Sequence, residues 1–248
     1  ITDPKAIRRE LMKAINIALD GRRGPVWLDI PQDIQNARVD VDDLYDVENF
    51  VSSVPEVDNE KIAYLIEQIN KAQRPCILAG SGIISSGSKD LFEQVVDKLQ
   101  IPVVGGSWVA DNFWLDHRLC YGNSGNVGPR TGNFILQNLI ISFGNSLGFR
   151  QTGFNQNDFA PHAKIIMIDA DENESKKPGL KIEKFIQCDL KDIFGKIIIY
   201  EEVKCVISES WLQYCDMLKT RFERYEAAGN IDLKERVYSA YFWKVMEK

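Results

Sequence analysis

Between residues 75 and 199 short apolar runs alternate with amphipathic stretches, and each run ends on small or acidic residues. The runs are 76–79, 101–104, 139–143, 165–168 and 185–188; the amphipathic stretches are 88–99, roughly 130–138, and 189–196. A strand buried on both faces reads as an unbroken apolar run, and its alternation with helices selects a parallel sheet covered on both sides. The expected fold class is therefore α/β, with a doubly wound parallel sheet. Ligands of such sheets sit beyond the carboxyl ends of the strands. Those ends carry Gly80-Ser81-Gly82, Gly105-Gly106-Ser107, Gly144-Asn145-Ser146, Asp169-Ala170-Asp171 and Asp189. Glycines there allow close backbone approach, and helix amides can hold a phosphate. The spacing at 80–87 is GxGxxxxG rather than GxGxxG, so by itself it also describes a tight strand-to-helix turn.

Composition removes several classes. The net charge is −6 with no basic block, which argues against a nucleic-acid partner. No apolar run is long enough to span a bilayer, and no secretory leader opens the chain, so a cytoplasmic protein without a membrane partner is expected. Cys76, Cys120, Cys188, Cys205 and Cys215 are scattered without a CxxC, and His117 and His162 are the two histidines. No metal-ligating set is expected, and reduced cysteines fit the same compartment.

The flanks read differently from the middle. Asp3-Pro4 suits a helix start, with Ile7, Leu11, Ala14, Ile15 and Ala18 on one face and Gly21 at the end. A strand is expected at 26–30, broken by Pro31. Residues 36–57 are acidic and irregular and read as a linker. Asp58 then caps a helix whose stripe is Ile62, Leu65, Ile66 and Ile69, with Val57 placed to staple onto it. After 197 the pattern loosens. Residues 208–228 read as a helix with Trp211, Leu212, Cys215, Leu218, Phe222 and Tyr225 on one side, and 237–248 as the start of another.

Several stretches together resemble the thiamine-diphosphate-dependent enzymes, in their acetolactate synthase-like branch. GRRGPVWLDIPQDIQ resembles the end of the pyrimidine-binding domain. CILAGSG, IPVV, GNSGNVGPRTGNFILQN, ISFGNSLGFRQTG and AKIIMIDADENESKK resemble the central domain almost end to end. VYSAYFWKVMEK resembles the first helix of the pyrophosphate-binding domain. The resemblance implies 1–35 as the tail of the first domain, 36–57 as linker, 58–197 as a central domain of about six strands, 198–236 as connector, and 237–248 as the start of the last domain.

It also implies a ligand rim in the central domain: Gly80, Ser81, Gly82, Gly106, Ser107, Trp108, Gly122, Asn123, Ser124, Gly144, Asn145, Asp169, Ala170, Asp171 and Asp189. Relatives hold FAD, ADP or nothing there. Flavin-holding relatives carry an arginine where this chain has Ser146, so ADP is the better-suited occupant and FAD the poorer one. The family's activating glutamate is not represented, and no GDG metal motif occurs in these residues. No catalytic or metal-binding residue is therefore assigned, and Asp29, Asp33, His117 and His162 are read as structural. Thiamine diphosphate and Mg2+ would be held mainly outside this stretch. The implied parent is a 2-keto acid decarboxylase or carboligase, assembled as a homodimer or homotetramer. From the residues alone, a stand-alone nucleotide-binding or assembly module is the alternative. An isolated helix and strand at the start and an apolar helix at the end favour a segment of the longer enzyme.

Overall fold

The computed structural model describes residues 1–106, 117–125, 131–204 and 207–228, with side chains as far as Arg221. They divide into two compact units, Ile1–Glu56 and Val57–Lys248. The expected terminal helix at 237–248 and the side chains of Phe222 and Tyr225 lie outside the described residues.

In the first unit, Asp3 accepts the Lys5 amide at 2.9 Å and starts a 3-10 turn, Pro4–Ala6, that runs into α1, Ile7–Leu19. Gly21 ends it at φ +51°. A short helix, α2, spans Gln32–Gln35. The amphipathic stripe of α1 is only partly covered: Ala6 and Ala14 are buried, while Leu11 and Ile15 are 40% and 48% exposed. The strand expected at 26–30 is not formed, because no ladder partner exists for it among the described residues of this unit. A strand exists only as half of a pairing. Residues 44–54, read as linker, are instead tied down. Arg8 Nη2 donates to the Leu44 carbonyl at 2.9 Å, Tyr45 Oη to Asp3 at 2.7 Å, and Ser53 N to Asp20 at 2.8 Å. Hydrogen bonds from Ser52 and Ser53 hold the Asp20 carboxyl below its usual range.

The second unit is built on six parallel strands: β1 Pro75–Ala79, β2 Val103–Gly105, β3 Cys120–Asn123, β4 Leu139–Phe143, β5 Lys164–Asp169 and β6 Ile182–Gln187, in the order β3-β2-β1-β4-β5-β6. The runs at 139–143 and 165–168 form as expected. The second strand is displaced toward 103–105, and the last begins earlier, at Ile182. β3 was not among the runs picked out from the sequence. Its Gly122 sits at φ +77°, and its pairing with β2 shifts register, so a four-residue edge strand carries a bulge. α3 Asn59–Lys71 precedes β1; α4 Gly82–Ser85, α5 Lys89–Leu99, α6 Thr131–Ile135 and α7 Phe149–Thr152 run between strands; α8 Leu190–Ile199 and α9 Glu209–Ala228 follow β6. The helix expected at 130–138 closes at Ile135, leaving three residues before β4.

Successive strand residues point to opposite faces, and the sheet divides them between two cores. Ile77, Ala79, Ile141, Phe143, Ile166 and Ile168 meet α3, α5 and α8. Cys76, Leu78, Ile140, Ile165 and Met167 face the side of α6 and α9. In the first core the α3 stripe Ile62, Leu65, Ile66 and Ile69 is buried as expected, Val57 is 1% exposed, and the Asp58 side chain accepts the Lys61 amide at 2.8 Å. Phe92, Phe143 and Phe194 interlock there, with Phe143 and Phe194 edge-to-face at 5.0 Å. In the second, Trp211 donates to the Pro75 carbonyl at 3.2 Å, and Tyr121 Oη lies 2.8 Å from Asp216. Burial raises the Tyr121 hydroxyl, with the Asp216 bond adding to the effect. Lys98 closes α8 by donating to the carbonyls of Ile198 and Tyr200 at 2.6 and 2.5 Å.

Because Phe194 joins both other rings with no exposure, Phe194→Ala should cost about 3–5 kcal/mol of unfolding free energy. Phe154→Ala, at a side chain 93% exposed, should cost under about 0.5 kcal/mol. Equilibrium denaturation of both variants checks this; equal losses would contradict the core assignment.

Candidate functional site

The strand order reverses direction between β1 and β4, and this switch point is where a crevice is expected beyond the strand ends. The loops leaving those two strands cross at contact distance. Gly80 N donates to the Phe143 carbonyl at 2.9 Å, and Gly82 N to the Gly144 carbonyl at 2.9 Å. A Cβ on Gly80 would lie 2.0 Å from the Gly144 carbonyl oxygen, and one on Gly82 would lie 2.7 Å from Gly144 Cα. Gly144 itself sits at φ +55°. The glycines are thus required, but the close approach they permit is of one backbone to another. Two amides of the GSG turn are engaged in holding the crossing and are not presented to a phosphate. α4, one turn long, adds no helix terminus of consequence.

Asn145 locks the crossing from β4. It is 6% exposed; its Nδ2 donates to the Ala79 carbonyl at 3.2 Å, and its Oδ1 accepts the Leu147 amide at 2.9 Å. On the β2–β3 side, Ser124 N donates to Gly105 O at 2.8 Å, and Gln151 Nε2 donates to Ser124 Oγ at 2.7 Å. Asn133 holds Gly125 through both its amide and its carbonyl, at 2.7 and 3.1 Å. Gly106 is roomier: among the described residues the nearest atom to an added Cβ is Gln151 Nε2 at 3.9 Å. Gly122 and Asn123 lie within β3 rather than beyond it. Ser107 and Trp108 lie outside the described residues.

The acidic end of the rim has structural employment. Asp169 accepts the Asp171 amide at 3.0 Å, and Asp171 caps a 3-10 turn, Glu172–Lys176, through Asn173 N at 3.0 Å. Asp189 caps α8 through Lys191 N at 2.7 Å. Gln187 reaches the Ala170 carbonyl at 3.0 Å. The Cys188 thiol beside Asp189 is pushed up to about 12, first by burial and then by the carboxylates of Asp192 and Asp189, so it is no thiolate nucleophile. Two residues of this edge were not picked out from the sequence. Lys177 donates both to the Ser146 carbonyl and to Glu174, whose side chain is almost fully buried, and so clasps the β5 loop to the β4 loop. Only the Glu-x-x-Lys spacing hinted at the pair.

Among the described residues no group of three or more His, Cys, Asp or Glu could hold a metal ion. His117 is occupied locally: Nδ1 accepts the Leu119 amide at 3.2 Å, and Nε2 lies 3.5 Å from Asp97. His162 lines a cleft of about 610 Å³ with Arg74, Asn133, Gln137 and Asp158, at the amino ends of β1, β4 and β5 and away from the rim. No helix among the described residues is long and apolar enough to cross a membrane.

A family model described as the central domain of thiamine pyrophosphate enzymes matches residues 62–197, more than half of the chain. The chain belongs to that family. Its relatives include the acetolactate synthase large subunit of Corynebacterium glutamicum, 30% identical over 90% of this chain and 36% of that protein. The glyoxylate carboligase of Escherichia coli O157:H7 is 29% identical over 96% of this chain and 41% of its own length. Among solved structures, benzoylformate decarboxylase from Polynucleobacter necessarius superposes with a TM-score of 0.66 over 80% of this chain and 37% of that one, at 21% identity, which speaks to fold alone. The chain thus spans little more than a third of the length of these relatives.

Substituting Gly80 by alanine should cost at least about 2 kcal/mol, since backbone atoms at 2.0 Å cannot yield as a flexible side chain can. Gly106→Ala should leave stability within about 0.5 kcal/mol. Denaturant titration decides; a tolerated Gly80→Ala would mean that the crossing is not close.

Proposed function

We propose that this chain is the central segment of a thiamine-diphosphate-dependent enzyme acting on a 2-keto acid, as a decarboxylase or carboligase of the acetolactate synthase kind. The observation that carries the reading is continuity. The central-domain match at 62–197 sits inside alignments that run over 90–96% of the chain into flanks on both sides. On this reading 1–35 ends a pyrimidine-binding domain, 36–57 joins it to the central domain at 58–197, 198–236 is a connector, and 237–248 opens a pyrophosphate-binding domain. Thiamine diphosphate, when bound, supplies the electron sink for loss of CO2. On this reading it and Mg2+ are held mainly by other segments. The central domain's contribution is a rigid spacer, and the chain forms part of a homodimeric or homotetrameric assembly. The cytoplasm is the proposed compartment.

The enzyme encoded with its flanking domains should release CO2 from pyruvate or a related 2-keto acid when supplied with thiamine diphosphate and Mg2+. The 248 residues alone should release none. Turnover by the short chain would overturn the division of labour, and an inactive long chain across a 2-keto acid panel would overturn the activity.

At the rim we infer an occupant no larger than ADP, with FAD disfavoured. Support comes from the engaged amides of Gly80 and Gly82, from Ser146 in place of an arginine, and from the pairing of Lys177 with Glu174. A diphosphate buried without charged donors forfeits about 1.5–3 kcal/mol per missing charged bond, or roughly ten- to a hundredfold in affinity. Calorimetric titration should show FAD no tighter than ADP, and Ser146→Arg should gain FAD affinity. Submicromolar FAD binding by the unaltered chain would reject the inference.

A further inference from the structure

The stretch that reads as a 22-residue linker, 36–57, is fastened at two points close to its end. Upstream, Asp20 of the first unit accepts Ser52 Oγ at 2.5 Å, Ser53 N at 2.8 Å and Ser53 Oγ at 2.6 Å. Val54 N donates to Ser52 Oγ at 3.2 Å, and Val54 Cγ2 stands 2.9 Å from where a Cβ on Gly21 would lie. Downstream, within the second unit, one ion pair on α8 grips both polar groups of a single peptide residue. Val57 N donates to Asp192 Oδ2 at 2.6 Å, and Lys196 Nζ donates to the Val57 carbonyl at 2.5 Å. Lys196 and Asp192 are themselves paired at 2.9 Å, four residues apart on one helix. Val57's side chain is buried in the core, and the next residue caps α3. Neither clamp involves the other unit, and the division between the units falls between Glu56 and Val57.

We propose that Pro55 and Glu56, set between the Asp20 clamp and the Asp192–Lys196 clamp, are the hinge of this chain. The inference stands apart from the catalytic reading and needs no ligand. Hinges are commonly a few residues that absorb backbone rotation while their neighbours stay packed. Here proline fixes φ at one of the two positions, so the free rotations are fewer still. A flexible 22-residue segment would let its ends wander over tens of ångströms, on the order of 5–6 Å times the square root of the residue number. Two residues between fixed points give a short, stiff tether. The Asp192–Lys196 pair is accordingly a positioning element, setting where the chain enters the second unit.

Backbone relaxation and amide exchange, measured by NMR on the 248-residue chain, test this. Within 36–57 of the unaltered chain, low order should be confined to Glu56, and the Ser53 and Val57 amides should exchange at least about tenfold more slowly than the Glu56 amide. Asp192→Ala should release the Val57 amide by a similar factor and extend the low order to 57, while Leu65 and Ile66 keep their protection. Asp20→Ala should extend it upstream through 52–54. Should Asp192→Ala not fold, Lys196→Met leaves the acceptor of the Val57 amide in place and should loosen 57 through the carbonyl alone. Low order spread through 36–57 in the unaltered chain, or Val57 exchange indifferent to both α8 variants, would overturn the proposal.

Discussion

The geometry of the carboxyl edge depends on two backbone hydrogen bonds, from Gly80 to Phe143 and from Gly82 to Gly144. They bring the loops of β1 and β4 into contact at the one place in a doubly wound sheet where neighbouring connections diverge. Side chains at these positions would force the loops apart. Asn145 then bridges back to Ala79, Lys177 draws the β5 loop onto Ser146, and Gln151 and Asn133 fix the β2–β3 side. Each tie uses a donor or acceptor that a ligand would otherwise compete for. The edge is organised first for its own continuity, and any occupant must work with what remains.

How much of this the sequence disclosed depended on whether the cause was local. Periodicity shows which face of a helix is apolar, so the α3 stripe and its Asp58 cap were legible residue by residue. An unbroken apolar run between polar breaks shows a buried strand, so β4 was read to the residue. β3 escaped because Gly122 bulges a four-residue strand and leaves no run to see. Residues 26–30 had the look of a strand, but pairing is a property of two segments, and composition reports on one. At the rim the small residues were visible, while the purpose of the glycines was not, because spacing does not say which atom would meet an added Cβ. The Lys177–Glu174 clasp was hidden for the same reason: one of its partners is a main-chain carbonyl, which has no letter in the sequence.

The central-domain match covers a sheet in which burial raises the Cys76 and Cys188 thiols and the rim acids Asp171 and Asp189 cap a turn and a helix. What it provides is definite positioning: a stiff sheet, a closed edge, and an entry point held by a helix-borne ion pair.

The division of β1, β4 and β5 between two cores has a consequence for how such a domain changes over generations. Ile77 and Leu78 are neighbours in the chain but belong to packing problems on opposite faces of the sheet. A change of volume on the α3–α5–α8 side is answered by residues on that side, and the α6–α9 side is left undisturbed. The two halves can therefore diverge at their own pace. A family whose members share the sheet can keep one face nearly constant while the other is rebuilt.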